Sequence, residues 1–402
     1  MSQRLGPISP PGGAPILRNA LAQRAPEDAE AQLRAMLAAR LPAANSSLTT
    51  DVTLYRSGRE ALRVALHALA EDAGRDEVIV PAYTCYSVPA AVVAAGLKVR
   101  LVEVDPLGRI DPIAISKLPL ERAAAVIVCN LFGHCEPIHA WSALAEDAGV
   151  AIVDDAAQAF GARCEEGAAG ARGAVGILSF GRGKPLAALG GGASLWHNKQ
   201  DLASRNTNLP QAEATRPSSV RAAAAALLHD FALQPHVFQQ LKRLPFLGIG
   251  ETHFDPEFDT GSISSECLAL AHAQLPRLDS DAARRRESAE ALADALSDTP
   301  YTPLLASPAS ASTLSVYPRL AVRAPNATLR DRAVLRLAHF GAGRLYPQAA
   351  CDVPALKSAR VESEPFPVAA QLAADLFTMR TTRPYSRKDG EEIARLLEAN
   401  HA

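Results

Sequence analysis

Residues 150–184 read VAIVDDAAQAFGARCEEGAAGARGAVGILSFGRGK. Two short apolar runs, Val150–Val153 and Val175–Phe180, each break off into polar or glycine-rich sequence. Apolar, β-branched runs of this length predict strands buried on both faces. Upstream, Glu77–Val80, Val99–Val104 and Ala124–Val128 have the same character. Helical stretches at Gly58–Ala70, Ser87–Ala95 and Ile138–Ala148 separate these runs. The alternation predicts an α/β fold, a mainly parallel sheet with helices on both faces. Ligands of such sheets sit beyond the carboxyl ends of the strands. The residues just after each run therefore carry the functional expectation.

On either side the pattern changes. Residues 1–15 are rich in Pro and Gly and read as a loose arm. Residues 26–41 read as a helix: acidic residues come early, Arg comes late, and Leu33, Met36, Leu37 and Leu41 share a face. Pro210, Pro217, Pro235, Pro245 and Pro256 punctuate residues 200–262. Within that insert Val237, Phe238, Leu241 and Leu244 form a helical stripe, which suits a packed insert or a partner- or membrane-facing surface. Residues 264–298 are helical, with a boundary or kink expected at Pro276. The remainder reads as smaller and α+β. It carries one strand at 314–322, an edge strand or bulge because of Pro318, and helices near 328–340, 367–377 and 387–399. The expected division is a large domain over 1–275 and a small C-terminal domain over 276–402.

Composition narrows the classes. The chain has 402 residues, 48% hydrophobic and 21% charged, enough to bury a sizeable core. Lys+Arg 41 against Asp+Glu 43 leaves a net charge of -2, with no basic surplus for a nucleic acid. Six scattered cysteines, without a C-x-x-C pair or zinc spacing, suit reduced thiols in a cytoplasmic protein. No run is long and apolar enough to span a membrane, and no apolar signal core opens the chain. Neither a metal nor membrane contact is expected.

Four places could carry chemistry. Ser57-Gly58-Arg59 opens an amphipathic helix whose free amides and dipole suit an anion, although Ser is also an ordinary helix cap. Pro81–Ser87 puts Tyr83, Cys85 and Tyr86 at a strand end, where aromatics stack on a flat ring or simply fill the core. Asp154-Asp155, followed by Gln158, ends the next strand. An acid there holds a cationic ring nitrogen or caps a helix. Finally, Lys184 lies in a glycine-rich loop after Ser179. It is no Walker loop, since Pro185 follows the lysine. A desolvated lysine is a nucleophile suited to a Schiff base; otherwise it is a solvated loop residue. Anion site, ring platform, strand-end acid and lysine in one domain are the groups that pyridoxal 5'-phosphate requires.

The order and spacing of these segments resemble the DegT/StrS-type nucleotide-sugar aminotransferases, fold-type-I pyridoxal-phosphate enzymes, over roughly residues 50–400. The resemblance rests on SGREAL at 57–62, DEVIVPAYT at 76–84, VEVDPLGRID at 102–111 and CNLFGHCEPI at 129–138. It is most specific at VDDAAQAFGA (153–162) and SFGRGK (179–184), and continues at AQLPRLDSDAARRR (273–286) and FPVAAQLAADLFTM (366–379). It implies an aspartate-aminotransferase-like large domain. Lys184 would carry the cofactor, and Asp155, rather than Asp154, would hold its ring nitrogen. Gln158 would lie near the ring hydroxyl. Ser179 and the Ser57-Gly58-Arg59 turn would bind the phosphate, and the ring would stack near Cys85 or Tyr86. Lys184 and Asp155 would be the catalytic pair. The implied reaction moves an amino group from glutamate to a keto-sugar, nucleotide-linked in the family, within a homodimer. Other pyridoxal-phosphate chemistry on a non-nucleotide ketone, or a non-catalytic sensor or scaffold, stays open. Three departures stand out: Arg59 where Thr is usual, Phe160 where His is common, and GSISSE at 261–266 without the Asn and Arg that a partner subunit often sends to the site. Lys184 sets the chain apart from a dehydrating subgroup that has His there.

Overall fold

The computed structural model describes residues 26–42, 50–197, 254–305, 313–361 and 365–398, and also Ala224, Leu227 and Leu228. The N-terminal arm and the stripe Val237, Phe238, Leu241 and Leu244 lie outside the described residues.

The main sheet has seven strands: β1 (Asp51–Tyr55), β2 (Glu77–Pro81), β3 (Lys98–Val102), β4 (Ala123–Cys129), β5 (Ala151–Asp155), β8 (Val175–Ser179) and β9 (Gly192–Trp196). Their order is β1-β9-β8-β5-β4-β2-β3. Pairings from β3 through β8 are parallel, while β8–β9 and β9–β1 are antiparallel. The sheet is thus mainly parallel, as the apolar runs predict. Its two antiparallel strands escaped the sequence reading. Gly192–Trp196 follows three glycines, and Asp51–Tyr55 has a mixed pattern because it sits at the sheet edge. A short hairpin, β6 (Arg163–Cys164) and β7 (Gly167–Ala168), fills the connection between β5 and β8.

Both faces are covered, and the strands show why their sequence is continuously apolar. Val78, Val80, Ala125, Ile127 and Val153 pack beneath α2 (Gly58–Ala73) and α3 (Ser87–Ala94). The alternate residues Ile79, Val126, Val128 and Ile152 pack with Ile115 of α4 (Pro112–Ile115), Trp141 and Ala145 of α5 (Ser142–Asp147). Successive side chains point to opposite faces, so a strand covered on both sides must be apolar at every position. The predicted N-terminal helix is α1 (Ala29–Arg40), which buries Leu33, Leu37 and then Leu41 against α6 (Ser265–Gln274).

Pro276 lies in the turn Leu275–Arg277 that joins α6 to the long helix α7 (Leu278–Leu296). Beyond it β10 (Thr302–Pro303), β11 (Arg319–Arg323) and β12 (Leu376–Arg380) form an antiparallel sheet, with β11 in the middle. This corrects the strand expected at 314–322. Pro318 cannot donate to a ladder, so a central strand starts only after it. Leu314 instead bridges to Arg163 of the hairpin. The helix expected to reach 377 stops at Asp375 (α9, Pro367–Asp375), and the chain continues as β12. Helices α8 (Ala327–Arg336) and α10 (Arg387–Glu398) complete this layer. Among the described residues no helix is long and apolar enough to cross a membrane.

Candidate active site

Asp154 and Asp155 end β5 and, as strand neighbours, face opposite ways. Asp154 is fully buried. Arg172 grips both its oxygens, at 2.8 and 3.0 Å, while Asn130 Nδ2 and the Gly170 amide donate at 2.7 Å each. Arg172 also reaches Asn130 Oδ1 at 2.8 Å and the Glu136 carbonyl. Burial alone would raise the Asp154 carboxyl, yet Arg172, Asn130 and the Gly170 amide hold it below the ordinary value. Asp154 is therefore a structural hub. Removing one partner of a buried ion pair strands the other charge, at a cost of about 3–5 kcal/mol. Arg172→Ala should accordingly lower the urea unfolding midpoint sharply, and an unchanged midpoint would show that the pair carries no such weight.

Asp155 lies on the other side. Its Oδ1 accepts from the Ala157 amide at 2.9 Å. Burial pushes its carboxyl up to about 6, against the opposing pull of the Ala157 hydrogen bond and the nearby Lys184 charge. A cation brought to this carboxylate would recover the charge stabilisation that burial denies it.

The neighbouring strand end forms a cradle. Asp155 pairs with Ile177 of β8, and Ser179 closes that strand two residues on. Helix α2 begins against Ser179. A Cβ on Gly58 would lie 2.7 Å from Ser179 Cβ, and one on Gly192 would lie 2.4 Å from the Gly58 nitrogen. Only glycine permits both approaches, so the helix amides and the Ser179 hydroxyl meet at one point. Ser57 is the N-cap: its hydroxyl accepts from the Glu60 amide at 3.2 Å. The capping role weighed for Ser57 is thus occupied, and any anion at this helix start would fall to the other leading amides, which a helix leaves without intrahelical partners. The Arg59 guanidinium turns away, to the Asp255 carbonyl at 3.2 Å and over the Phe258 ring.

Lys184 follows Gly183, which has φ +76°, in a turn closed by the Lys184 amide on the Gly181 carbonyl at 3.2 Å. The loop is clamped from behind. Gln274 of α6 donates to the Ala187 carbonyl, and the buried Arg285 of α7 reaches the Pro185 carbonyl at 3.4 Å. The Ala188 amide donates to the Phe180 carbonyl at 2.7 Å and closes the loop.

Gln158 accepts from the Phe132 amide at 3.1 Å and donates to the Tyr346 hydroxyl at 2.6 Å. Phe132 adopts φ +57° to present that amide, a conformation costly outside glycine. Of the two ring-stacking candidates, Tyr86 is packed in the core, its hydroxyl both donating to and accepting from the Gln348 backbone at 2.9 Å. Cys85, half-buried, lies beside the Tyr346 hydroxyl and accepts from Ser87 at 2.9 Å. Cys85 thus shares the Tyr346 hydroxyl with Gln158. Tyr346 was missed: it arrives from a turn about 190 positions downstream of Gln158, and its surroundings (Leu345, Pro347) carry no periodic signal. Phe160 packs in the apolar core with Ala156 and Leu178. Ser264 of the 261–266 segment caps α6.

A helix start, a strand-end acid and a loop lysine stand at the carboxyl edge of one mainly parallel sheet, a set of groups that suits pyridoxal phosphate. The glycine-lined cradle fits a phosphate, and the buried Asp155 fits a cationic ring nitrogen. The model of the DegT/DnrJ/EryC1/StrS aminotransferase family matches residues 48–221 and 262–398, so the chain belongs to that family. The chain is 31% identical over 291 residues to the L-glutamine:scyllo-inosose aminotransferase of Streptomyces griseus, covering 70% of this chain and 61% of that protein. It is 37% identical over 150 residues to the dTDP-3-amino-3,4,6-trideoxy-alpha-D-glucose transaminase of Streptomyces venezuelae, covering 37% and 39%. Less than two thirds of each relative's length is thus matched. The aminotransferase TlmJ of Streptoalloteichus hindustanus has a similar structure, with a TM-score of 0.70 at 22% identity over 99% of both chains.

Proposed function

We propose that the protein is a pyridoxal-phosphate-dependent aminotransferase that moves an amino group from glutamate, or a close relative of it, to a ketone on a polyhydroxylated ring. The observation that carries this reading is the convergence of the Gly58–Ser179 cradle, Asp155 and Lys184 on one sheet edge. The acceptor class is supported by the relatives, whose names specify a cyclitol ketone and a nucleotide-linked sugar. A nucleotide-linked keto-sugar is our reading; a free cyclitol ketone is the competing one, and a panel of keto acceptors separates them.

The bound cofactor supplies an electron sink for negative charge at the donor's α-carbon. The protein does the rest. The Gly58 and Arg59 amides and the Ser179 hydroxyl would hold the phosphate. Asp155, ionised beside a cation, keeps the ring nitrogen protonated. Gln158, oriented by Phe132 and Tyr346, would hydrogen-bond the cofactor's ring hydroxyl, and Cys85 would pack against the ring. Lys184 would hold the cofactor, and its amine would serve as the base that takes the proton from the donor's α-carbon. General-base transfer of this kind contributes about 10²–10⁴-fold. We propose further that the chain acts as a cytoplasmic homodimer, with the division between large and small domains near residue 275. Light scattering at twice the chain mass would bear out the dimer.

The expected result with purified, cofactor-loaded protein is a visible absorption band that bleaches when glutamate is added. A band indifferent to glutamate and glutamine would favour a non-transaminating role. No band after adding pyridoxal phosphate would overturn the site.

A further inference from the structure

Cys135 and Cys164 lie on different segments, 29 positions apart, yet Cys135 Sγ donates to Cys164 Sγ at 3.0 Å. Cys135 follows the turn after β4, and Cys164 ends β6 of the short hairpin. The pair stands on the far side of the Asp154 hub from Asp155, and the site described above does not use it. Arg172, which grips Asp154, also approaches Cys164 Sγ at 3.4 Å. Both cysteines line a cavity of about 630 Å³, together with apolar residues such as Leu131 and Leu304 and charged ones such as Arg109 and Glu166. Small solutes can therefore reach them.

We propose that Cys135 and Cys164 are a peroxide-reactive thiol pair, with Cys164 the attacking sulfur and Cys135 the resolving one. Three features point this way. The hydrogen bond from Cys135 and the Arg172 guanidinium both favour thiolate at Cys164, so its thiol lies below the ordinary value. Cys135 is buried, and its thiol is raised, first by that same hydrogen bond and then by burial, so it keeps its proton. Their contact distance leaves little movement before a bond can form. The other four cysteines have no sulfur neighbour in hydrogen-bond contact among the described residues.

The chemistry balances with hydrogen peroxide as oxidant. The Cys164 thiolate attacks the peroxide oxygen; an S–O bond forms, the O–O bond breaks and hydroxide leaves. The Cys135 sulfur then attacks Cys164; the S–S bond forms, the S–O bond breaks, and water leaves with the Cys135 proton. The two thiols lose two electrons, and the peroxide is reduced to water.

The test treats the full-length, cofactor-loaded protein with hydrogen peroxide, alkylates the remaining thiols after denaturation and maps the peptides. The expected result is loss of two thiols, reversed by dithiothreitol, with a cross-link between the peptide 123–163 and Cys164. Fragmentation must place the bond on Cys135, because Cys129 shares that peptide. In Cys135→Ser, dimedone should trap at least about tenfold more sulfenic acid on Cys164 than in the wild type. The proposal is overturned if no thiols are lost, if the bond falls on Cys129 or another cysteine, or if the wild type accumulates sulfenic acid as readily as the variant. Should Cys135→Ser fail to fold, the wild-type cross-link decides alone.

Discussion

Lys184→Ala is expected to lose at least about 10³-fold in turnover, because one amine is asked to do two things. On the proposed reading it would both hold the cofactor and serve as the base for the substrate proton. The loop that carries it is fixed through its backbone, by Gln274 at Ala187 and Arg285 at Pro185, so truncating the side chain leaves those clamps in place. The fold should survive, with an unfolding midpoint close to the wild type. A second readout does not depend on turnover. Borohydride reduction of the loaded wild type should attach the cofactor irreversibly to the peptide containing Lys184, and the variant should release all of it on denaturation. Near-normal turnover in Lys184→Ala, or attachment at another lysine, would sink the assignment.

Asp155→Asn should separate activity from stability. The amide keeps the acceptor for the Ala157 N–H but cannot carry charge. Without the negative partner the ring nitrogen loses its proton, and turnover should fall by about 10²–10³-fold, the scale of losing one preorganised electrostatic partner. Stability should move the other way in the cofactor-free protein. The folded carboxyl titrates at about 6, above its ordinary value of 3.8. A raised carboxyl favours the folded state while protonated, and this advantage is lost as pH rises through 4 to 6. Above that window the buried charge costs about 3 kcal/mol, taking about 1.4 kcal/mol per pH unit. The variant should therefore unfold at a higher midpoint than the wild type above pH 6, with the two curves converging toward pH 4. Glu136, pushed up to about 8 by burial, adds its own slope, but to both proteins alike. A variant no more stable at pH 7.5 than the wild type would show that Asp155 is not buried at an energetic cost. One with undiminished turnover would show that no cation depends on it.

Much of this molecule was legible before its structure. The runs at 77–80, 124–128 and 150–153 are apolar at every position because both faces of the sheet are covered, and that local fact marks them as parallel strands. Ser179, Asp155 and Lys184 stood out because they sit at or beside strand ends, where such sheets hold ligands. Glycine at 58 was read as letting an anion approach; what the structure shows is a steric need for it in the approach of Ser179.

The rest depended on contacts between distant segments. Asp154 and Asp155 are chemically identical neighbours; Arg172, Asn130 and Gly170 neutralise the first and leave the second. Ser57 became a cap, Tyr86 turned its hydroxyl to Gln348, and Cys85 was left facing Tyr346. β11 moved to the centre of its sheet and started past Pro318 because β10 and β12 flank it. The Cys135–Cys164 contact likewise exists only because the β6–β7 hairpin folds back onto the end of β4. Sequence by itself determined the α/β class and the chemistry available at the strand ends, since periodicity and residue type are local properties. Which of those groups is free to act was decided by the tertiary structure, since burial and hydrogen-bond partners are set by residues remote in the chain.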